Sequence, residues 1–406
     1  MAGARAVGDR RGTVIEERAG AERRSHDQRL AVVDFDLSPF TIAWELTRAC
    51  AFACRHCRAE AQPQRDGREL TTDEAFRLVD RFREFGDPIL VVTGGDPMMR
   101  PDLFDILDYA VARGLRTSLT PTTTRLVTPK ALGRVRQIGV RRLAVSIDGP
   151  SAEAHDSFRG FPGSFAIATR IAAQAVEQGL SLQVNTTVSR FNLDLLDEMI
   201  ELVSCLGAVQ WSLFFLVPTG RATAADMISP EEHERTFRWL YGLSQHAPFD
   251  VKSTAAPAYR RVVVQMERGK RSRAGAPQAM TVAGAGYRYQ DGLARPAKGV
   301  NDGKGFCFVS HTGDVCPSGF LPLSAGNVRE QSVVDLYRSA PLFSSLRDAT
   351  ALRGKCGRCE FRAVCGGSRA RAFALTGDYL AEDPSCVYEP GAYAGTSHGR
   401  RSDAAC

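Results

Sequence analysis

The sequence predicts an α/β protein: a partial (β/α)6 TIM-like barrel followed by a small cysteine-rich C-terminal domain. Three observations predict it. From residue 41, a short β-branched or apolar run, a turn and a helix-period segment alternate six times. The unusual loop sequences each follow a strand candidate, so they gather on one rim of a parallel sheet. Six of the eleven cysteines fall between residues 307 and 386.

The strands are placed at Thr41–Leu46, Ile89–Thr93, Arg116–Thr120, Arg142–Ile147, Ser181–Val188 and Val209–Phe215. Helices fill 72–86, 101–114, 128–139, 163–179, 192–206 and 230–245. Their starts carry signals. Thr71-Thr72-Asp73-Glu74 reads as a capping box, Pro101 and Pro129 suit a first turn, and Ser229-Pro230-Glu231-Glu232 joins a cap to first-turn acids. From 246 to 305 the sequence turns irregular, with Gly, Ala and Pro over Ala274–Gly286 and Lys298–Gly305. This predicts a barrel at 39–245, a bridging linker at 246–305 and a second unit at 306–390, with a flexible tail at 391–406.

Composition excludes more than it assigns. The apolar fraction of 44% and charged fraction of 24% are those of an ordinary globular protein, which excludes a fibrous or wholly disordered chain. No window approaches the roughly 18 apolar residues of a membrane span. The first thirty or so residues alternate Arg with Glu and Asp and lack a signal-type apolar stretch. They read as a disordered arm, 1–38, on a cytoplasmic protein with no membrane partner. A net charge of +6, with arginines interspersed among acids, gives no nucleic-acid footprint. Clustered cysteine in an unexported chain points to metal rather than disulfides. Cys205 reads as a core residue and Cys406 as an exposed one.

Cys50-Ala-Phe-Ala-Cys54-Arg-His-Cys57 follows strand one and brings three thiolates into one loop. A [4Fe–4S] cluster ordinarily takes four, so three leave one iron open to a ligand, as catalytic metal sites do. Zinc on the three cysteines with His56 or another ligand is the other reading of the spacing. Gly94-Gly95-Asp96-Pro97 follows strand two, Ser146-Ile-Asp148-Gly149 closes strand four, and Asn185 lies on strand five. His155-Asp156-x2-Arg159-Gly160 and Pro218-Thr219-Gly220-Arg221-Ala222 complete the rim.

Over residues 40–225 this set resembles the radical S-adenosylmethionine (SAM) family, whose signature is C-x3-C-x2-C after the first strand of a six-unit barrel. The resemblance implies that Cys50, Cys54 and Cys57 hold a cluster whose free iron chelates SAM, and that reductive cleavage of SAM yields a 5′-deoxyadenosyl radical. It implies that Gly94, Gly95, Asp96 and Pro97 approach the SAM ammonium, with Asp96 where the family has Glu. By the same resemblance Ser146 and Asp148 lie near the ribose, Arg159 meets the SAM carboxylate, and Asn185 belongs to the cofactor site. A reducing donor of flavodoxin or ferredoxin type is implied as partner.

Cys356-x2-Cys359-x5-Cys365 with Cys386 resembles the C-terminal half of a SPASM domain. That resemblance implies a fully ligated auxiliary [4Fe–4S] cluster, and zinc is again the other occupant the spacing allows. Cys307 and Cys316 resemble the opening of a second auxiliary site. The cysteine expected just after Cys365 is absent, and Gly366-Gly367-Ser368-Arg369 stands there. Three readings stay open: Ser368 or another group completes the site, the two cysteines only pack, or the four-cysteine set is shuffled.

The segment from Cys365 to Cys386 resembles the heme-pathway members of the family, which act on tetrapyrrole propionates. The resemblance implies a small-molecule substrate, with Arg369 and Arg371 as propionate partners or surface residues. Maturation of a ribosomally made peptide, and a non-catalytic iron–sulfur or zinc protein, are the two alternatives.

Overall fold

The computed structural model describes residues 33–274 and 299–391. The predicted arm before residue 33, the Gly/Ala/Pro-rich stretch at 275–298, the tail from 392 and Cys406 lie outside the described residues.

The six predicted strands are present as β1 (Thr41–Glu45), β2 (Ile89–Thr93), β3 (Arg116–Leu119), β4 (Arg142–Ser146), β5 (Leu182–Val188) and β6 (Gln210–Phe215). All pair in parallel, in sequence order. Every second residue faces the helices: Ile42, Trp44, Leu90, Val92, Val145, Val184 and Trp211 belong to one apolar core under them. The other face is the lumen of a curled sheet, and its side chains are largely polar.

The helices begin where their caps are. Thr71 and Glu74 form a capping box at Thr72–Arg83, and Ser229 and Glu232 another at Pro230–Ser244. Thr128 caps Pro129–Ile138, with Pro129 in the first turn. Pro101 is not in a helix; that helix runs Leu103–Ala112 from an N-cap at Asp102. A further helix, Ala152–Arg159, precedes Ser164–Glu177 and carries the His155 to Arg159 motif. Cys205, read as a core residue, is exposed at the last position of Leu196–Cys205, where the helix has turned its side chain away from the sheet.

The irregular linker is corrected at both ends. Asp250–Thr254 is a seventh parallel strand, β7, beside β6, and Ala258–Ala274 is a helix packed on Pro230–Ser244. β8 (Phe306–Val309) pairs in parallel with β1, and β9 (Val315–Cys316) adds antiparallel to β8. The sheet order is therefore β7-β6-β5-β4-β3-β2-β1-β8-β9. The cysteine-rich segment is continuous with the barrel sheet.

Buried arginines and one buried glutamate make the join. Glu45, at the end of β1, receives His311 Nδ1 at 3.0 Å, Arg58 Nη1 at 2.9 Å and Arg48 Nε at 3.2 Å. Burial alone would raise the Glu45 carboxyl, but the Arg58 guanidinium, the hydrogen bond from His311 and the Arg48 guanidinium hold it down at about 2. Arg371, on the helix Arg369–Thr376, donates through Nη2 to the carbonyls of Phe215, Leu216 and Ala255 at 3.3, 3.4 and 3.1 Å. It thereby caps the C-terminal ends of β6 and β7. Arg369 donates to the carbonyls of Tyr379 and Ala381 at 3.0 and 2.6 Å. Both arginines are 1% exposed, so they are structural clamps, neither surface residues nor free propionate partners.

Candidate SAM and iron–sulfur centres

The loop after β1 folds back on itself through Cys50 N–H to the Gln62 carbonyl (2.8 Å) and Cys57 N–H to the Cys54 carbonyl (3.2 Å). Cys50 and Cys54 are buried with Phe52, and Cys57, Ala61 and Phe161 pack beside them. The loop after β6 lies directly on this one. Arg221 donates Nε to the Cys54 carbonyl at 2.8 Å, Nη1 to the Ala61 carbonyl at 3.0 Å, and its N–H to the Cys57 carbonyl at 3.1 Å. Gly220, at φ +66°, permits the approach: a Cβ there would sit 2.5 Å from the Cys57 carbonyl oxygen.

The Gly94-Gly95-Asp96-Pro97 turn closes the next side. A Cβ on Gly94 would meet the Thr47 carbonyl oxygen at 2.6 Å, and one on Gly95 the Ala49 oxygen at 2.5 Å. The glycines are thus required for packing on the cysteine loop. Asp96 is fully buried; it accepts from Met98 N–H at 3.1 Å, capping the short turn Pro97–Met99, and from Thr124 Oγ1 at 2.9 Å. Burial pushes its carboxyl up to about 6, against those hydrogen bonds. Thr122, which carried no sequence signal beyond lying on the rim, donates to the Gly95 carbonyl at 2.6 Å and sits 3.5 Å from Cys50 Sγ.

Asp148 is spent within the protein. One oxygen accepts Thr187 N–H at 2.7 Å, and the other pairs with Arg159 Nε at 2.6 Å. The pair holds Arg159 Nη1 4.0 Å from Cys54 Sγ. Ser146 and Asn185 are in register on neighbouring strands, facing the lumen, and Asn185 Oδ1 accepts from Gln183 Nε2 at 2.6 Å. Burial raises the thiols of Cys50 and Cys54, partly offset by Thr122 and Arg159 respectively. Two buried atoms of this neighbourhood, His56 Nδ1 and Arg221 Nη2, have no hydrogen-bond partner, so the surroundings keep polar capacity for a further group.

Farther along, Cys356, Cys359, Cys365 and Cys386 line one pocket, walled by Arg261, Lys355 and Arg362. Gly367 N–H points at Cys365 Sγ (3.3 Å), and Asp383 N–H and Arg369 Nη2 point at Cys356 Sγ (3.4 and 3.6 Å). Donors aimed at sulfur and cations around it suit thiolates on an anionic cluster. Burial pushes the free Cys365 thiol up to about 12, and metal binding would reverse that. Among the described residues no three Cys, His, Asp or Glu side chains converge tightly enough to share one ion.

Of the three readings of Cys307 and Cys316, packing is the one the strand pairing favours. Phe308 opposes Cys316, so Cys307 points to the other face of the β8–β9 ladder. Cys307 is fully buried in the apolar core. Ser368 is the N-cap of Arg369–Thr376, its Oγ accepting from Arg371 N–H at 3.2 Å, and is not free to ligate.

A parallel half-barrel with three thiols on its C-terminal rim and a four-thiol pocket appended to it defines an enzyme class built around iron–sulfur chemistry. Residues 44–203 match the Radical SAM superfamily. The AdoMet-dependent heme synthase of Methanosarcina barkeri (strain Fusaro / DSM 804) is 43% identical over 87% of this chain and 98% of its own length. The AdoMet-dependent heme synthase of Oleidesulfovibrio alaskensis is 43% identical over 86% and 87%. In fold, the crystal structure of Streptococcus suis SuiB bound to S-adenosylmethionine aligns with a TM-score of 0.66 at 13% identity, covering 92% of this chain and 81% of that one.

The chain belongs to the radical SAM superfamily, within the family of the AdoMet-dependent heme synthases. It is an enzyme that cleaves SAM reductively and abstracts hydrogen from its substrate, using a SAM-binding [4Fe–4S] cluster and auxiliary cluster chemistry.

Proposed function

We propose that the chain converts propionate side chains of an iron-coproporphyrin-type tetrapyrrole to vinyl groups. The observation that carries the reading is identity of 43% spread over 98% of a relative named AdoMet-dependent heme synthase. The mouth of the lumen supports it. Phe214 of β6 and Phe320, from the segment after β9, are half-buried with ring centroids 6.5 Å apart, an aromatic lining suited to a large planar ligand.

In this reading Cys50, Cys54 and Cys57 hold the SAM-binding cluster, and Cys356, Cys359, Cys365 and Cys386 hold the auxiliary one. When bound, the first supplies a 5′-deoxyadenosyl radical and the second an electron acceptor. Arg221, Gly220 and the Gly94–Pro97 turn fix the loop that carries the first cluster. Asp148 holds Arg159 Nη1 4.0 Å from Cys54 Sγ, where the guanidinium would meet the carboxylate of SAM, and Ser146 and Asn185 would face the cofactor from the lumen. For each propionate the balance is one hydrogen atom from the β-carbon, one CO2 and one electron, leaving a C=C bond. A flavodoxin or ferredoxin of the cytoplasm delivers the electron that cleaves SAM. Among the described residues no helix is long and apolar enough to cross a membrane.

The test is anaerobic turnover of the reconstituted enzyme with iron-coproporphyrin III, SAM and dithionite. The expected result is 5′-deoxyadenosine formed in step with carboxylate loss by mass spectrometry. No 5′-deoxyadenosine above the substrate-free level overturns the reading.

A further inference from the structure

One register row of polar side chains crosses four strands on the lumen face of the sheet. Ser146 is in register with Asn185, Asn185 with Ser212, and Ser212 with Lys252 of β7. The residues just before them, Val145, Val184, Trp211 and Val251, lie in the core under the helices, so alternation turns the whole row inward. Three members are neutral. The fourth is an ammonium.

Lys252 is half-buried, and no carboxylate among the described residues pairs with it. The charges that bear on it are Arg142 and Arg260, both cations. Other buried cations have a carboxylate, Asp148 for Arg159, Asp102 for Arg100 and Glu234 for Arg261, and Arg260 at least donates to the Val300 carbonyl. A lysine held out of bulk water beside like charge costs stability, and an anion in the lumen offsets the cost. Lys252 shares its register row with Ser146 and Asn185, the lumen residues assigned above to the cofactor side, so the ammonium and those residues face one cavity.

We propose that Lys252 is a substrate-positioning residue that receives a carboxylate of the tetrapyrrole inside the barrel. The assignment rests on the tetrapyrrole reading. The ammonium fixes which propionate is held, and the side chain next to it on the ring is thereby presented to the radical.

The holoenzyme, reconstituted with iron and sulfide and kept oxidised without dithionite, is titrated with iron-coproporphyrin III by absorbance, beside its tetramethyl ester. Lys252→Gln is expected to weaken binding of the acid by about tenfold or more. Lys252→Arg keeps it within about threefold, and ester binding is unmoved by either change. Iron content and circular dichroism matching the wild type show that the variants fold. If Lys252→Gln binds the acid as the wild type does, or loses acid and ester equally, the assignment is overturned while the tetrapyrrole reading stands. A wild type that binds neither porphyrin overturns both.

Discussion

Two buried ion centres show how differently single residues are used. Asp148 and Arg159 neutralise each other, so the guanidinium reaches Cys54 without an unpaired charge in the barrel. Lys252 has no such partner, and the sign of its titration follows. Burial, with Arg142 and Arg260 nearby, lowers it from 10.5 to about 8. A lysine depressed in the folded state loses stability as pH falls from 10.5 toward 8, and the full cost persists below 8. Substrate-free Lys252→Met is therefore expected to be more stable than the wild type at pH 7, by about 1–3 kcal/mol. Chemical denaturation at pH 7 and pH 10 checks this: the gap should narrow at the higher pH. Lys252 was illegible in the sequence because its meaning depends on strand register. Cys50, Cys54 and Cys57 carry their chemistry in spacing alone.

At the scale of elements, strands with a β-branched outer face were legible and β7 was not. Asp-Val-Lys-Ser-Thr presents one apolar residue, Val251, to the helices; its lumen side is polar, so period-two hydrophobicity has nothing to register. The β8–β9 ladder shows the converse. Cys307 and Cys316 looked like a ligand pair by spacing, and only the pairing reveals that they point to opposite faces. Iron counting on the reconstituted protein separates the sets. The wild type should carry about eight irons, Cys356→Ala/Cys386→Ala about four, and Cys307→Ala should leave the count unchanged. A drop on Cys307→Ala would restore the second auxiliary site. The glycines of Gly94-Gly95 were read as giving access to a cofactor; in the fold they first give access to the backbone of the cysteine loop.

For the whole molecule, the boundary drawn near residue 305 divides a single sheet. The barrel and the cysteine-rich segment share β1, β8 and the Glu45–His311 contact, and Arg371 seals β6 and β7 from the far side. A chain ending at residue 299 lacks β8 and presents β1 as a bare edge strand. It is expected to appear in the insoluble fraction on expression, or to sediment as aggregate. A soluble monomer with full iron at the Cys50 loop would show the barrel to be independent. The separateness read from the sequence came from the composition of 275–305, and composition does not record that the chain returns to its first strand.

That return has a cost in time. Glu45 and His311 are 266 residues apart in the chain, and ribosomes add about 5–20 residues per second. Each nascent copy therefore spends roughly ten to fifty seconds with the first strand made and its final neighbour not yet synthesised. During that interval β1 stands without β8 beside it, and one side of the sheet is open. It is also the interval in which an unshielded edge most needs a chaperone.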